Sequence, residues 1–269
     1  MKPHLHALPL LLALCLPSGL APRVASAQDL PHGMRGAEVL DGWQADNGSR
    51  MAAVRIALGE GWKTYWRAPG DAGIPPQFNF AGSQNVAGVT VHWPRPQVFE
   101  SGGMRSVGYL GEMILPIEII PTDPSQPVAL AADVEFGICR DVCVPVSVAL
   151  SADLSGPGTT DPLIRAALTA QPEPVKGNAT CLIEPIKDGM RVTASIDLPP
   201  LGPDEIALFE LRGAPVWVSD STSHRDGTRL VSMAEFVPDN AQPFALNPAD
   251  LVITVLSDER AVEINGCPG

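Results

Sequence analysis

The stretch Phe136-Gly-Ile-Cys139-Arg-Asp-Val-Cys143-Val-Pro145-Val-Ser-Val148 places two cysteines between two segments with strand character. Residues 132–136 alternate small or apolar residues with acidic ones, and residues 144–150 are β-branched and alternate again. The three residues between the cysteines suit a hairpin loop. Such a hairpin would set Cys139 opposite Cys143, where their Cβ atoms come within range of a disulfide.

A disulfide between Cys139 and Cys143 has two interpretations. A bond that closes so short a loop gains little entropic stabilisation, and strained or exposed bonds of this kind exchange readily with thiols. The pair would then be a redox site. Secreted β-domains also use disulfides as structural bonds, and the spacing alone does not choose between the two interpretations.

Other chemistry for the cysteine pair has less support. The pair lacks the second CxxC or nearby histidine pair that a tetrahedral zinc site needs, so we predict no metal. A thioredoxin motif would be CxxC opening a helix, whereas the surroundings here are strand-like. His92, Met104 and Met113 could form a Cu(I) set, although scattered residues of these types more often serve packing. No hydrolase, P-loop or dinucleotide-binding motif is present.

The first 27 residues have the features of a cleaved export signal. Lys2 supplies the positive start, residues 7–16 the apolar run, and Ala25-Ser-Ala27 the cleavage site. Cleavage would remove Cys15 and two basic residues, which takes the formal net charge from −12 to −14. No later stretch is long and apolar enough to span a membrane. We therefore expect a periplasmic protein that binds neither nucleic acid nor anionic membrane.

The rest of the chain predicts an all-β protein with two tandem immunoglobulin-like β-sandwiches. Proline and glycine are abundant, with 28 and 25 residues, and long helical patterns are few. The predicted boundaries are residues 28–154 for the first sandwich, 155–176 for a helical and proline-rich linker, and 177–269 for the second sandwich. In the linker, Asp161 and Pro162 are predicted to begin a short amphipathic helix over residues 163–170. Residues 28–48 are interpreted as a leader, residues 94–106 as a glycine-hinged loop, and residues 107–120 as one strand.

In the second sandwich the predicted strands fall at residues 190–198, 205–211, 215–220, 229–237, 251–257 and 261–265. The stretch His224-Arg-Asp-Gly227 is interpreted as a turn. Cys181 and Cys267 bracket this region. A bond between them would close a long loop, so we predict a structural disulfide.

An ordered set of motifs in the first sandwich resembles a known family. The set is Gly61-Trp-Lys-Thr-Tyr65-Trp66, Val91-His-Trp-Pro94, a glycine loop, the Tyr109–Ile117 strand with its Leu-Pro-Ile end, and Cys139…Cys143-Val-Pro145. Over about residues 35–153 this resembles the N-terminal periplasmic domain of the thiol–disulfide interchange protein DsbD and of ScsB-type relatives. The family as a whole spaces its cysteines more widely.

The resemblance implies roles for individual residues. Cys143 matches the cysteine that forms mixed disulfides, and Cys139 matches its resolving partner. A cap over the sulfurs would fall at residues 99–106, with Phe99 as the covering ring. The surrounding pocket residues would be Tyr65, Trp66, Tyr109 and Pro145.

The resemblance also implies a function without a cofactor. Such a domain relays reducing equivalents to or from thioredoxin-fold periplasmic proteins, including isomerases and cytochrome-maturation factors. Because this sequence has no membrane helices or thioredoxin-like domain, its membrane-embedded electron donor would lie in another chain. The alternatives are a non-catalytic binding or scaffold module with two structural disulfides, and a copper-handling protein.

Overall fold

The computed structural model describes residues 30–70, 73–101, 103–176 and 179–267. The predicted export signal lies outside these residues. The described chain forms four β-sheets and one α-helix, so the all-β prediction is confirmed. No helix within these ranges is long and apolar enough to cross a membrane.

The first ten strands form two sheets, here called the N-terminal sheets. Their strands are β1 (Met34–Gln44), β2 (Arg50–Leu58), β3 (Lys63–Tyr65), β4 (Gln77–Asn79), β5 (Val86–Val91), β6 (Gln97–Ser101), β7 (Met104–Leu110), β8 (Glu112–Pro121), β9 (Val128–Cys139) and β10 (Cys143–Leu154). One sheet has the order β1-β2-β8-β5, and the other has the order β10-β9-β3-β7-β6 with β4 also paired to β9. All their pairings are antiparallel.

The core of the N-terminal sheets follows from strand alternation, because every second side chain points to the same face. In β8 the inward side chains are Met113, Leu115, Ile117 and Ile119, which are fully buried. In β9 the alternate residues from Val128 to Ile138 do the same from the second sheet. The remaining residues of β9, including Cys139, therefore lie on the outer face of that sheet.

The last strands form two further sheets, the C-terminal sheets. Their strands are β11 (Glu173–Val175), β12 (Ala179–Pro185), β13 (Met190–Asp197), β14 (Ile206–Leu211), β15 (Val216–Val218), β16 (Thr222–Asp226), β17 (Arg229–Pro238), β18 (Leu251–Leu256) and β19 (Ala261–Asn265). The orders are β11-β19-β18-β14 and β12-β13-β17-β15, with β16 paired to β17. These sheets enclose a second apolar core that includes Phe209, Phe236 and Ile253.

Helix α1 (Pro162–Thr169) connects the two sets of sheets. Asp161 caps it by accepting hydrogen bonds from the backbone N–H groups of Leu163 and Ile164, and proline occupies its first turn as expected from the sequence. Ile164 is fully buried. The two sets of sheets also share apolar contacts, since Leu208, Leu256 and Ala261 of the C-terminal sheets belong to the N-terminal core cluster.

Three expectations for the N-terminal sheets were wrong. The supposed leader contains β1, an eleven-residue strand that pairs with β2. The supposed loop before residue 107 contains β6, paired with β7. Residues 107–120 form two strands in different sheets, because Gly111 adopts a left-handed conformation (φ 74°) that other residues rarely tolerate and redirects the chain.

Two expectations for the later chain were also wrong. Residues 173–175, assigned to the linker, form β11 and pair in parallel with β19. His224 lies within strand β16 and not in a turn, opposite Val231 of β17. Three-residue strands and strands of polar residues show only weak hydrophobic periodicity. Whether they form depends on their pairing with other strands in the tertiary structure.

Candidate redox site

The β9–β10 hairpin brings the two cysteines together. Cys139 and Cys143 are directly paired at its end and form a disulfide, as the sequence predicted. In the connecting loop, Arg140 forms an ion pair with Asp141 (2.9 Å) and its guanidinium lies 5.5 Å from the centre of the Trp62 ring. The opposite charges of Arg140 and Asp141 thus offset each other beside the disulfide.

The two sulfur-bearing residues differ in accessibility. Cys139 is only 7% exposed, whereas Cys143 is exposed to solvent. Its sequence neighbours Val142 (70% exposed), Val144 and Pro145 are also exposed and apolar. A thiolate from another protein can therefore reach the sulfur of Cys143 more easily than that of Cys139.

Tyr65 contacts the accessible sulfur. Its hydroxyl lies 3.1 Å from Sγ of Cys143, and it must be the donor because a disulfide sulfur carries no proton. The residue is 1% exposed, and burial raises the pKa of the Tyr65 hydroxyl above its ordinary value. The hydroxyl therefore stays protonated at neutral pH and available as a donor.

Glycine makes room for the Tyr65 ring on the outer face of the sheet. A Cβ atom on Gly137, in the neighbouring strand β9, would lie 2.9 Å from Cε2 of Tyr65 and 2.8 Å from Cβ of Ile74. A Cβ atom on Gly73 would lie 2.9 Å from Cδ1 of the same ring. The ring is thus enclosed between the sheet and the chain at residues 73–74.

Comparison with known proteins shows what this part of the chain is similar to. Residues 36–154 match the family described as thiol:disulfide interchange protein DsbD, N-terminal. This segment, which contains the cysteine pair, is therefore similar to DsbD N-terminal domains. The expected family resemblance is thereby confirmed for the region that contains the cysteine pair.

A solved structure supports the fold. The N-terminal periplasmic domain of ScsB from Proteus mirabilis superposes with a TM-score of 0.60 at 21% identity, covering 87% of this chain and 91% of that chain. The similarity extends beyond residues 36–154, and the immunoglobulin-like all-β prediction is confirmed. No curated protein sequence matches this chain.

The aromatic residues predicted around the sulfurs occupy different environments. Tyr65 reaches Cys143, whereas Trp66 and Tyr109 lie in the core cluster on the inner face. Tyr109 donates a hydrogen bond to the Pro94 carbonyl (2.9 Å), and burial raises the pKa of its hydroxyl. Strand alternation explains the division, since Tyr65 and Trp66 are adjacent and point to opposite faces.

Phe99 lies on β6, opposite Ser106 of β7, and a lysine ammonium lies near its ring. The Lys63 ammonium is 5.0 Å from the centre of the Phe99 ring and donates a hydrogen bond to Oγ of Ser106 (3.0 Å). Lys63 also pairs directly with Cys139 across β3 and β9. Burial lowers the pKa of the Lys63 ammonium. The predicted cap region is thus a β6–β7 hairpin tied to β3 through Lys63.

Lys63 was not among the residues expected at the site from sequence. The only sequence signal for it is alternation, because Lys63 and Tyr65 share one face of β3. That signal gains meaning once β3 is known to lie beside β9, a pairing between residues more than seventy positions apart.

The second cysteine pair forms a disulfide in the C-terminal sheets. Cys181 of β12 is bonded to Cys267, which follows β19, with a Cα separation of 5.6 Å. Both residues are buried in the second apolar core. The bond joins the two C-terminal sheets, because β12 and β19 belong to different ones.

The three residues considered for Cu(I), His92, Met104 and Met113, lie in different environments. Met113 is fully buried in the N-terminal core, Met104 is 58% exposed on β7, and His92 contacts Glu118 and Gln171. Among the residues that the structure describes, no group of three or more His, Cys, Asp or Glu side chains could hold a metal ion.

The Tyr65 contact makes a testable prediction about pH. In the reduced protein the Tyr65 hydroxyl can donate to the Cys143 thiolate, and a hydrogen bond to the charged form favours ionisation. We expect Tyr65→Phe, in a Cys139→Ser background, to shift the midpoint of the Cys143 alkylation pH–rate profile to higher pH by about one unit. Iodoacetamide alkylation followed by mass spectrometry measures this midpoint. An unchanged midpoint would show that the hydroxyl does not act on the thiolate.

Proposed function

We infer that this protein exchanges thiols and disulfides through Cys139 and Cys143 with thioredoxin-fold partners. The observation that carries this proposal is the asymmetry of the disulfide, with Cys143 exposed in an apolar surface and Cys139 buried behind it. A purely structural bond has no need of one accessible sulfur. The DsbD N-terminal family match supports the same reaction class.

The first step is attack of a partner thiolate on Sγ of Cys143. A bond forms between the partner sulfur and Cys143 as the Cys139–Cys143 bond breaks, and Cys139 leaves as a thiolate that takes up a proton. The apolar surface at Val142, Val144 and Pro145 would exclude water around the reacting sulfurs. The attack geometry requires access to one sulfur only, which this site provides.

The second step completes a two-electron transfer. A second thiolate of the partner attacks the partner's sulfur in the mixed disulfide, and Cys143 leaves as a thiolate. The partner is now a disulfide and this protein a dithiol. The Tyr65 hydroxyl donates to Cys143 and so stabilises the leaving thiolate. The same steps in reverse reduce a partner disulfide, so the site serves a relay in either direction.

The biological setting follows from this function and from the N-terminal sequence. Cleavage of the export signal would place the protein in the periplasm, where thioredoxin-fold proteins and cytochrome-maturation factors are candidate partners. Residues 28–154 would be the redox domain and residues 177–269 a second sandwich. An electron donor embedded in the membrane is a further candidate partner.

The reduction potential of the Cys139–Cys143 bond tests the proposal. We expect a value between about −180 and −270 mV, the range of disulfide exchange proteins. The measurement is a glutathione titration, followed by alkylation and identification of the modified peptides by mass. The Cys181–Cys267 bond provides an internal control in the same sample, because it is buried and should remain oxidised.

A potential below about −300 mV would contradict the proposal, because bonds in that range resist exchange with the glutathione pool. The Cys139–Cys143 bond would then be structural, and the protein would be a binding or scaffold module. Reduction of this bond should in that case lower Tm strongly.

A further inference from the structure

Arg67 connects the redox domain to the C-terminal sheets. Its guanidinium donates hydrogen bonds to both carboxylate oxygens of Glu210 on β14 (3.0 and 3.1 Å) and to Glu263 on β19 (2.5 Å). It also lies 4.2 Å from the centre of the Trp66 ring. All three charged side chains are largely shielded, with 21–23% exposure. Removing one partner of an ion pair shielded from solvent is strongly destabilising, because the other charge is left without compensation.

Arg67 lies two residues after Tyr65, the last residue of strand β3. Strand β3 spans only Lys63–Tyr65, and after it Trp66 donates a backbone hydrogen bond to Val107 (2.9 Å). The next described long-range connection is the Arg67 ion pair to the C-terminal sheets. The position of the Tyr65 hydroxyl thus depends on a short strand that is held from two sides.

A cavity of about 360 Å³ extends this connection. The redox domain contributes Arg67–Gly70, Gly73 and Pro75 to its wall, and the C-terminal sheets contribute residues 207–211 and 216–221. Gly73 also packs against the Tyr65 ring. The segment that contains Arg67 and Gly73 therefore faces the C-terminal sheets on one side and Tyr65 on the other.

We propose that Arg67 is a positioning residue through which the C-terminal sheets hold the Tyr65 hydroxyl against Cys143. This gives the C-terminal sheets a function in the redox chemistry, and it rests on the proposed exchange function of Cys143. Arginine suits the task because its planar fork can pair with two carboxylates while stacking on a ring. A lysine ammonium cannot make all three contacts.

Arg67→Gln tests the proposal in the Cys139→Ser background, with the Cys181–Cys267 disulfide intact and Cys15 replaced by serine. We expect the midpoint of the Cys143 alkylation pH–rate profile to move to higher pH, in the direction of Tyr65→Phe. The double variant Tyr65→Phe/Arg67→Gln should show no further shift, because both changes remove the same hydrogen bond. Arg67→Lys should give a partial shift.

Two further variants keep the test decisive. If Arg67→Gln fails to fold, Glu210→Gln/Glu263→Gln weakens the same contacts from the other side and should move the midpoint in the same direction. Arg225→Gln is the matched control, because Arg225 forms a similarly shielded ion pair with Glu205 (2.7 Å) within the C-terminal sheets. It should lower Tm without moving the midpoint.

The outcomes separate this proposal from the exchange function. A midpoint that moves with Tyr65→Phe but not with the Arg67 or glutamate variants would overturn the role of Arg67. Additive shifts would mean that Arg67 acts on Cys143 by another route, which also overturns it. Loss of exchange function would instead appear as a failure of Cys143 to form mixed disulfides in the Cys139→Ser protein itself.

Discussion

Replacing Cys139 with serine is expected to trap a covalent complex between Cys143 and a thioredoxin-fold protein. The probe is a thioredoxin whose buried active-site cysteine is changed to serine and whose remaining cysteine carries a thionitrobenzoate group. The Cys143 thiolate attacks that cysteine, and thionitrobenzoate leaves. Without Cys139 to attack the new bond, the mixed disulfide should persist at a ratio of about one to one. Non-reducing electrophoresis and release of thionitrobenzoate measure it.

Two controls define the roles of the cysteines. The unmutated reduced protein should release the thioredoxin as a free thiol, because Cys139 attacks Cys143 and closes the disulfide. Cys143→Ser should react at least about tenfold more slowly than Cys139→Ser, since the remaining sulfur belongs to a buried residue. Equal trapping by the two single variants would contradict the assignment of Cys143 as the exchanging cysteine.

Removal of the Cys181–Cys267 disulfide is expected to destabilise the C-terminal sheets severely. The bond closes a loop with a sequence separation of 86, and the chain-entropy relation gives about 4–5 kcal/mol for a loop of that length. Cys181→Ser/Cys267→Ser should therefore lower the free energy of unfolding by about that amount. Urea denaturation followed by circular dichroism measures the change.

Cys139→Ser/Cys143→Ser is the matched control for this second prediction. Its bond has a sequence separation of four, for which the same relation gives about 2 kcal/mol. The two double variants should thus differ clearly in stability, and the control should lose exchange activity without losing its fold. A control that is destabilised as much as Cys181→Ser/Cys267→Ser would refute the division into one redox and one structural disulfide.

The sequence predicted the features that depend on local pattern. The hairpin around residues 140–142 followed from two alternating strands separated by a loop of the right length, and the structure pairs Cys139 with Cys143 directly. Asp161 and Pro162 were recognised as a helix start because capping involves only neighbouring residues. The strands of the C-terminal sheets with strong alternation, such as β13 and β17, were also predicted.

Prediction failed where pairing depends on distant residues. Strand β6 has glycines nearby and a mixed pattern, so it was interpreted as a loop, and its pairing with β7 stabilises it. Strand β11 contains Pro174, which suits an edge position next to β19 but does not indicate a strand by itself. The division of residues 107–120 at Gly111 depends on the placement of two sheets.

By itself, the sequence determined the all-β class, the Cys139–Cys143 hairpin and the resemblance of residues 36–154 to DsbD N-terminal domains. These properties depend on periodicity, spacing and motif order, which can be read directly from the amino-acid sequence. Only the tertiary structure decided that Cys143 is exposed while Cys139 is buried. It also decided that Tyr65, and not its neighbour Trp66, contacts the sulfur of Cys143. The ion pairs of Arg67 with Glu210 and Glu263 likewise depend on the tertiary structure. Each of these joins residues far apart in sequence, and no local pattern encodes which face of one strand will meet which side chain of another.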